Sequence, residues 1–336
     1  NLWLKSDSPQ YNQIRFREDP VATSQIIDAH MHIYRTKEEG RRQFEGGYVI
    51  WEYGEKPDVH FSQYDGDIED ALDAMEKSGV SKAVVMNLFS VTRTREHNIS
   101  TLPDTLTAAD RTREIQRIDD SFAELLQEFN TWICDTVKPY PQLVPFISTD
   151  PTALPGEAGA RHIREMVENH GSRGIKLHPV LQDFNMSDQR MWPFYEVCQE
   201  LGIAIVAHSG PAQGGEPHAE PRSFTGALEA FPNLKIVLAH MGGGTWDQAT
   251  AIADAYPNAY FDCCEIIEWT GGTNAPTEAQ FAQLIKDVGP ERVLMGSDFP
   301  WYDLDHQIER IMELPLLSQE EKEGMLGANA ERILGL

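Results

Sequence analysis

Two histidines separated by one residue follow an apolar run near the start of the chain, in Ile26-Ile27-Asp28-Ala29-His30-Met31-His32. On a β-strand, residues i and i+2 point to the same face, so His30 and His32 are predicted to project into one space. Two neutral imidazoles on one side supply half of a tetrahedral metal site. An isolated pair could equally be two hydrogen-bonded histidines at a strand end. The choice depends on whether other strands end in matching ligands.

Later apolar segments also end in side chains that bind metals or transfer protons. The fourth such segment ends in Lys176 and His178, the fifth in His208 and the sixth in His240, while Asp298 follows the eighth. Of the 11 histidines in the chain, 5 lie at such ends, whereas a random scatter would put most of them on helices and loops. This clustering favours a shared metal site.

Each of these residues also has an ordinary structural interpretation. His208 or His240 could be hydrogen-bonded to a loop carbonyl, and Asp298 could stabilise a turn. Lys176 is the least expected of them, since a lysine in a buried strand is costly unless it is paired or neutralised. A salt bridge to a carboxylate is its structural alternative. Taken together, these residues form a specific pattern, and the separate structural interpretations of each residue do not explain why they all occur at strand ends.

An alternation of short apolar strands and amphipathic helices must position these residues. Helices are predicted between the strands and over the tail at 304–334, and capping patterns begin helices at Asp67 and Ser318. Strands alternating with helices imply a parallel sheet, and eight such units favour an α/β fold of the (β/α)8 TIM-barrel type. Functional side chains gather at the carboxyl ends of barrel strands. The predicted strands are 24–33, 81–88, 143–149, 173–178, 203–208, 235–240, 259–263 and 292–297, and the predicted helices between them are 113–137, 157–170, 188–201, 222–231, 245–255 and 277–287.

The barrel is predicted to form a single domain over residues 1–336. Residues 1–23 are polar and irregular and are interpreted as an N-terminal arm. Residues 34–66 are non-periodic but rich in aromatics, which indicates a folded cap inserted after the first strand. No Gly-x-Gly-x-x-Gly follows a strand and no P-loop is present, so the sequence gives no support for a nucleotide-binding function.

The amino-acid composition limits the kinds of molecule that the protein is expected to bind. The 336 residues carry a formal net charge of -25, which argues against nucleic acid or an anionic membrane as a partner and leaves a small-molecule substrate. No apolar run approaches the roughly 18 residues that span a membrane. The 4 cysteines have no Cys-x-x-Cys spacing, so reduced thiols and a cytoplasmic location are expected. Because the chain begins at Asn1 and not at Met, a removed leader is the alternative.

The strand-end motifs resemble the metal-dependent amidohydrolase superfamily. Within it, the chain is most similar to the branch that contains aminocarboxymuconate-semialdehyde decarboxylase, often called amidohydrolase family 2. The resemblance runs from about residue 24 to residue 335 and rests on the segments Ile-Asp-Ala-His30-Met-His32, Gly-Ile-Lys176-Leu-His178-Pro, Val-Ala-His208-Ser-Gly, Leu-Ala-His240-Met-Gly-Gly, Met-Gly-Ser-Asp298-Phe-Pro and Asn329-Ala-Glu-Arg-Ile-Leu334.

The resemblance implies that His30, His32, His208 and Asp298 bind one divalent metal ion, with Zn²⁺ expected, and that His240 acts on substrate or water. Metal binding lowers the pKa of water to about 7, and Asp298 would take up its proton. In some members of the superfamily a carbamylated lysine on strand four bridges two metals, so a two-metal site at Lys176 is the alternative. Dimers are common in the resembling family, which makes a homodimer an expectation.

Three kinds of function fit this site. The first is hydrolysis of a small-molecule amide, ester or lactone, and it is the expected one. The second is non-oxidative decarboxylation of a small unsaturated or aromatic carboxylic acid. Decarboxylases of hydroxybenzoates in this branch tend to carry Glu where this chain has His30, although the semialdehyde decarboxylase is also of the His-x-His type. The third, a non-enzymatic binding protein, conflicts with the complete ligand set.

Substrate contacts are predicted near the strand ends and in the cap. Lys176 and His178 are expected beside the substrate. The remaining candidates are aromatic side chains that could line a pocket and arginines that could pair with a carboxylate, although a solvated loop charge is the alternative for each arginine. These candidates are Trp51 and Tyr53 in the cap, Arg93 and Arg95 after the second strand, and Trp301 after Asp298.

Overall fold

The computed structural model of the protein describes residues 25–45 and 51–336. Within these ranges, eight parallel strands follow one another in the order β1 to β8, each with helices between it and the next. This confirms the predicted (β/α)8 barrel. The strands are β1 Ile26–Met31, β2 Val80–Met86, β3 Leu143–Ser148, β4 Gly174–Leu177, β5 Ala204–His208, β6 Ile236–Ala239, β7 Ala259–Asp262 and β8 Val293–Leu294.

Backbone hydrogen bonds between β1 and the segment after β8 close the barrel. The Ala29 amide donates to the Met295 carbonyl over 2.9 Å, and the Asp298 amide donates to the His30 carbonyl over 2.8 Å. The His32 amide then donates to the Phe299 carbonyl over 2.7 Å. β8 is shorter than the predicted 292–297, because the residues after Leu294 leave the regular ladder to make these contacts.

Helices cover the outside of the barrel and its ends. The capping residues predicted at Asp67 and Ser318 accept hydrogen bonds from Asp70 and Glu321 amides, as expected for helix N-termini. The helical tail is confirmed, as three helices and a π-helical turn at Gly324–Ala328. In the described residues the helices are α1 Lys37–Glu45, α2 Ile68–Ser78, α3 Thr92–Ser100, α4 Ala108–Val137, α5 Gly156–His170, α6 Pro179–Gln182, α7 Trp192–Leu201, α8 Thr225–Ala230, α9 Ala249–Ala255, α10 Ile266–Trp269, α11 Glu278–Val288, α12 Leu304–Glu313, α13 Gln319–Glu323 and α14 Asn329–Leu334.

The core has two layers that follow the alternation of side chains along the strands. Alternate strand residues such as Val206 and Ala239 form an interior cluster, and α14 packs against it through Ile333 and Leu334. The other strand face packs against the surrounding helices in a larger cluster. Both faces of each strand are therefore covered, which is why the strands read as nearly continuous apolar runs.

An irregularity in β1 directs the two histidines. Its pairing with β2 shifts between Asp28 and Met31, and Ala29 lies in the interior cluster whereas Met31 lies in the outer one. The strand therefore changes face between these two residues, as β-bulges do near active sites. His30 and His32 still share one space, with ring centroids 5.2 Å apart.

The cap differs in part from its prediction. The segment 34–66 contains helix α1, which was not predicted because the segment shows no helical periodicity. Helix α3, after β2, was not predicted either. Both helices have few or no buried residues, so neither carries the apolar stripe by which helices are recognised. The predicted arm at 1–23 and residues 46–50 of the cap lie outside the described residues. No helix in the described ranges combines the length and apolarity needed to cross a membrane.

The interior cluster makes the barrel sensitive to cavities. Leu294 on β8 is fully buried in it, whereas Leu125 on α4 is 49% exposed. Leu294→Ala should lower the free energy of unfolding by about 3 kcal/mol through lost burial and an unfilled cavity. The matched change Leu125→Ala should stay within about 0.5 kcal/mol of wild type. Urea unfolding followed by circular dichroism measures both values, and equal losses would contradict an interior role for Leu294.

Candidate active site

A cavity of about 240 Å³ opens at the carboxyl ends of the strands. Its volume is slightly below that of typical small-molecule pockets, which start at about 300 Å³. The structure brings all the predicted strand-end residues to this cavity. They are His30, His32, Lys176, His178, His208, His240 and Asp298.

Three of the four predicted metal ligands form a close group. His32 Nε2 lies 3.0 Å and His30 Nε2 lies 3.6 Å from Asp298 Oδ1. Ligands placed tetrahedrally at about 2.1 Å from an ion lie about 3.4 Å from one another, so this spacing fits a single divalent ion. Burial alone would raise the pKa of Asp298, but the hydrogen bond from His32 and the nearby imidazoles hold it well below its usual value. The carboxylate is therefore ionised, as a metal ligand must be.

His208 lies beside this group and does not form part of it. Its ring stacks on that of His178, with centroids 3.9 Å apart and planes within 10°. It also approaches His240, at 5.0 Å between centroids. Burial lowers the pKa of both His208 and His178, so both are neutral and each can offer a nitrogen lone pair to a metal.

Lys176 is buried among the site residues. Its Nζ lies 2.6 Å from His30 Nε2, and burial lowers its pKa. The Nε2 atom has one lone pair, so it can accept from Lys176 or bind an ion but not both. A metal ion at the three-residue group therefore requires the Lys176 amine to withdraw from His30. No barrel carboxylate forms a direct salt bridge with Lys176 in the described residues.

His240 occupies a strained turn at the end of β6. Its φ is 60° and that of Met241 is 51°, a left-handed conformation that non-glycine residues rarely adopt. Its Nδ1 faces Cys264, 3.4 Å from the carbonyl oxygen and 3.2 Å from Sγ. Burial lowers the pKa of His240 to about 4. With Nδ1 turned to the protein, Nε2 is the nitrogen available to the cavity.

Asp262 at the end of β7 is a functional residue that the sequence interpretation missed. Its Oδ2 lies 2.9 Å from His30 Nδ1, and the side chain is fully buried. Burial alone would raise the pKa of Asp262. The His30 imidazole outweighs this effect and lowers the pKa to about 2. Its position at a strand end, within the predicted strand 259–263, was a usable signal.

The cavity walls come from elements that bear no sequence motif. Helix α4 contributes Phe129 and Trp132, and the cap helix α1 contributes Glu39 and Gln43. Trp301, a predicted substrate contact, also lines the cavity, and its ring stacks on that of Phe44 of α1 at 5.3 Å. This contact attaches the cap helix to the segment after β8.

Other predicted substrate contacts lie elsewhere. Trp51 is 41% exposed and does not line the cavity, and Arg93 is exposed on α3. Arg95 pairs with Asp119 of α4 through two hydrogen bonds of 2.6 and 3.1 Å. Tyr53 is buried against Trp269. For the two arginines, the reason is that α3 packs along α4 and carries the residues after β2 away from the cavity.

Glu52 attaches the cap to the loops that follow β5 and β6. Its Oε2 accepts a hydrogen bond of 2.8 Å from the Gly244 amide. A Cβ at Gly210 would lie 2.8 Å from this oxygen and one at Gly243 would lie 2.4 Å from it, so only glycine permits the approach. Burial raises the pKa of Glu52 to about 7, and the hydrogen bond from Gly244 offsets part of that rise.

The fold and the site together are those of a (β/α)8 barrel enzyme with candidate metal ligands at the carboxyl ends of its strands. The sequence model described as Amidohydrolase matches residues 27–336, and the chain belongs to that family. This confirms the predicted family, and the two curated relatives described next match the predicted branch that contains aminocarboxymuconate-semialdehyde decarboxylase.

Two curated relatives carry named activities. The chain is 24% identical over 244 residues to 2-amino-3-carboxymuconate-6-semialdehyde decarboxylase of Dictyostelium discoideum, covering 63% of this chain and 67% of the relative. It is 25% identical over 287 residues to a gamma-resorcylate decarboxylase of Polaromonas sp., covering 72% of this chain and 85% of the relative.

Solved structures share the fold. An uncharacterised TIM-barrel protein of Bordetella bronchiseptica superposes with a TM-score of 0.66 at 20% identity, covering 93% of this chain and 98% of the other. A dihydroxybenzoic acid decarboxylase of Polaromonas sp., solved with manganese and the inhibitor 2-nitroresorcinol, has a TM-score of 0.63 at 17% identity, with 93% and 97% covered.

The raised pKa of Glu52 predicts how the cap responds to pH. The folded protein binds a proton on Glu52 up to a pKa of about 7, above the ordinary value of 4.5, so its contribution to stability falls as pH rises through this window. Glu52→Gln keeps an acceptor for Gly244 without the titration. As pH rises from 5 to 8, the free energy of unfolding of the variant should increase by about 1 kcal/mol relative to that of wild type. This is less than the full pKa shift would give, because solvent reaches the side chain.

Melting temperatures at the two pH values measure this difference. Glu55, in the same segment, is exposed, so Glu55→Gln is the matched control and should show no pH-dependent gain. A Glu52→Gln variant that loses stability relative to wild type as pH rises would contradict the assignment.

Proposed function

We propose that the protein is a metal-dependent decarboxylase that releases CO₂ from a small aromatic or unsaturated carboxylic acid. The observation that carries the proposal is one cavity in which the His30, His32 and Asp298 group, the proton-transfer candidate His240 and the aromatic side chains of α4 meet. Both curated relatives described above are named as decarboxylases, which supports this function better than the hydrolysis expected first. His30 itself agrees with the semialdehyde type of decarboxylase.

The proposal includes one divalent ion, held by His30, His32 and Asp298. His208 lies beside this group and would move towards it to serve as the fourth ligand. Nitrogen and carboxylate donors suit Zn²⁺ and also Mn²⁺, the ion in the Polaromonas decarboxylase structure. When bound, such an ion withdraws electron density from an oxygen-bearing substrate and orients it. The carboxylate–imidazole distances of 3.0 and 3.6 Å support binding of these three residues to a common ion.

Decarboxylation requires a proton at one defined carbon. The bond to the carboxylate carbon breaks, CO₂ leaves, the electron pair stays on the remaining carbon and a proton joins it. His240, which its lowered pKa of about 4 leaves neutral, is proposed to take up a proton from solvent at Nε2 and pass it to that carbon, because Nδ1 is turned towards Cys264. A ligand atom of His240 lies within 4.8 Å of one of Asp298, whose negative charge stabilises the protonated imidazole.

The cavity has features that suit a planar acid. Lys176 is the single lysine or arginine among the described residues that line it, so it is the proposed partner of a substrate carboxylate once it withdraws from His30. Phe129 and Trp132 offer apolar faces for an unsaturated or aromatic ring. Glu39 and Gln43 of the cap helix are placed to accept hydrogen bonds from hydroxyl or amino substituents.

Release of CO₂ tests the proposal directly. Metal-loaded protein is incubated with hydroxybenzoic, aminobenzoic and unsaturated dicarboxylic acids and, in parallel, with esters, lactones and amides. CO₂ is expected from an acid, and His240→Ala should lower kcat at least about 100-fold while metal content stays constant. His97→Ala, at an exposed histidine of α3, is the matched control. Hydrolysis of an ester, lactone or amide without CO₂ from any acid would refute the proposal.

Metal analysis tests the proposed ion. Elemental analysis should find about one divalent ion per chain, as expected for one group of four ligands. Chelation should abolish activity, and adding the ion back should restore it. Asp298→Asn removes the ionised ligand and should lower both metal content and activity. Two ions per chain, with loss of one of them in Lys176→Ala, would instead support the carbamylated two-metal site.

A further inference from the structure

Asp262 contacts the two most important histidines of the site through separate oxygens. Oδ2 lies 2.9 Å from His30 Nδ1, and Oδ1 accepts a hydrogen bond of 2.8 Å from the His240 backbone amide. The Cys264 thiol donates to the same Oδ1 over 2.9 Å. The side chain is fully buried, and the proposed reaction assigns no step to it.

The contact with His30 fixes which ring nitrogen carries the proton. A carboxylate only accepts hydrogen bonds, so Nδ1 must be the protonated nitrogen and Nε2 must present its lone pair. Nε2 is the atom that faces Asp298 at 3.6 Å, and it also receives the Lys176 amine at 2.6 Å. The Lys176 contact agrees with a bare Nε2, and the distance to Asp298 is too long for a hydrogen bond that would place a proton there. Asp262 thus holds His30 in the tautomer that binds a metal.

The contact with His240 fixes the position of the second histidine. A left-handed conformation costs a non-glycine residue about 1–2 kcal/mol. The buried hydrogen bond from the His240 amide to Asp262 offsets that cost and holds the turn in place. The same carboxylate therefore sets the distance between His30 and His240, whose ring centroids lie 5.4 Å apart.

The His30, Asp262 and Cys264 group also has the composition of a metal site, and their ligand atoms lie within 4.8 Å of one another. The distances favour hydrogen bonding. Atoms bound to the same ion at about 2.1 Å are about 3.4 Å apart in a tetrahedral site. Asp262 Oδ2 lies 2.9 Å from His30 Nδ1, an ordinary N–H···O hydrogen-bond length, and Cys264 Sγ also lies 2.9 Å from Oδ1, closer than two ligands of one ion would be.

We propose that Asp262 is a positioning residue that orients His30 for metal binding and His240 for proton transfer. The part that concerns His240 rests on the proposed function. The part that concerns His30 rests on geometry alone and is measured without any substrate.

Asp262→Asn separates the two contacts. The amide oxygen must face the His240 amide, because the opposite orientation would set two donors against each other. The NH₂ group then faces His30 Nδ1 and moves the imidazole proton to Nε2, where it blocks the metal. The dissociation constant for Zn²⁺ or Mn²⁺, measured by competition with a chromophoric chelator, should rise about 10–100-fold. An unchanged constant would overturn the proposal.

Asp150→Asn is the matched control. Asp150 is equally buried just after β3 and accepts backbone hydrogen bonds from Val91, Thr152 and Ala153, and within the described ranges no histidine is hydrogen-bonded to it. It should leave the dissociation constant within about threefold of wild type, because no metal ligand depends on it. Equal weakening in both variants would mean general loosening and would contradict a specific role for Asp262.

A measurement on the wild-type protein covers the case in which Asp262→Asn does not fold. Nitrogen-15 NMR of the metal-free protein, with the His30 signals identified by their loss in His30→Asn, should show a protonated Nδ1 and a bare Nε2. A protonated Nε2 would overturn the proposal.

Turnover tests the His240 part. At saturating metal, Asp262→Asn should recover kcat, since its oxygen still anchors His240, whereas Asp262→Ala should stay at least about tenfold lower in kcat with little change in KM. Equal recovery of both variants would contradict that part. If wild type releases no CO₂ while the metal constants behave as expected, the proposed reaction fails and the role of Asp262 at His30 stands.

Discussion

The mutual satisfaction of buried polar groups is the constraint on which the site depends. His30, Lys176, His240, Asp262 and Asp298 are all nearly inaccessible to solvent at one end of the barrel. Buried polar groups are stable only when hydrogen-bonded, so each must find its partner among the others. The parallel barrel makes this feasible because it brings eight strand ends to one face. The positions of the histidines therefore depend on the positions of the carboxylates that hydrogen-bond to them.

Much of the fold could be predicted because its cause is local. The alternation of continuous apolar strands with helices predicted the barrel. The capping residues Asp67 and Ser318 correctly predicted where two helices begin. Helices α1 and α3 were missed because they bury almost nothing, and a helix held by ion pairs and a few aromatic contacts leaves no apolar period in the sequence. Strand β8 was overestimated because its last residues bond across the barrel seam, which a linear pattern does not contain.

The candidate site was predictable to the extent that strand ends identify it. His30, His32, Lys176, His178, His208, His240 and Asp298 all reached the cavity. The walls were not predictable, because Phe129 and Trp132 lie inside a 30-residue helix whose facing is set by tertiary packing. Trp51 and Arg93 were candidates by type alone, and the chain path carries both elsewhere. This is also why the ligand pattern could not decide between hydrolysis and decarboxylation, since the walls select the substrate.

The closing seam of the barrel has a consequence for metal exchange. The residues that join the first strand to the segment after the last one include His30, His32 and Asp298, which are also the proposed ligands. An ion held there would cross-link the two ends of the barrel and close a loop of nearly its whole length, where a cross-link restricts the unfolded chain most. Transient opening of the seam would then be the route by which the ion leaves, so the lifetime of the bound metal would report on the breathing of the barrel itself.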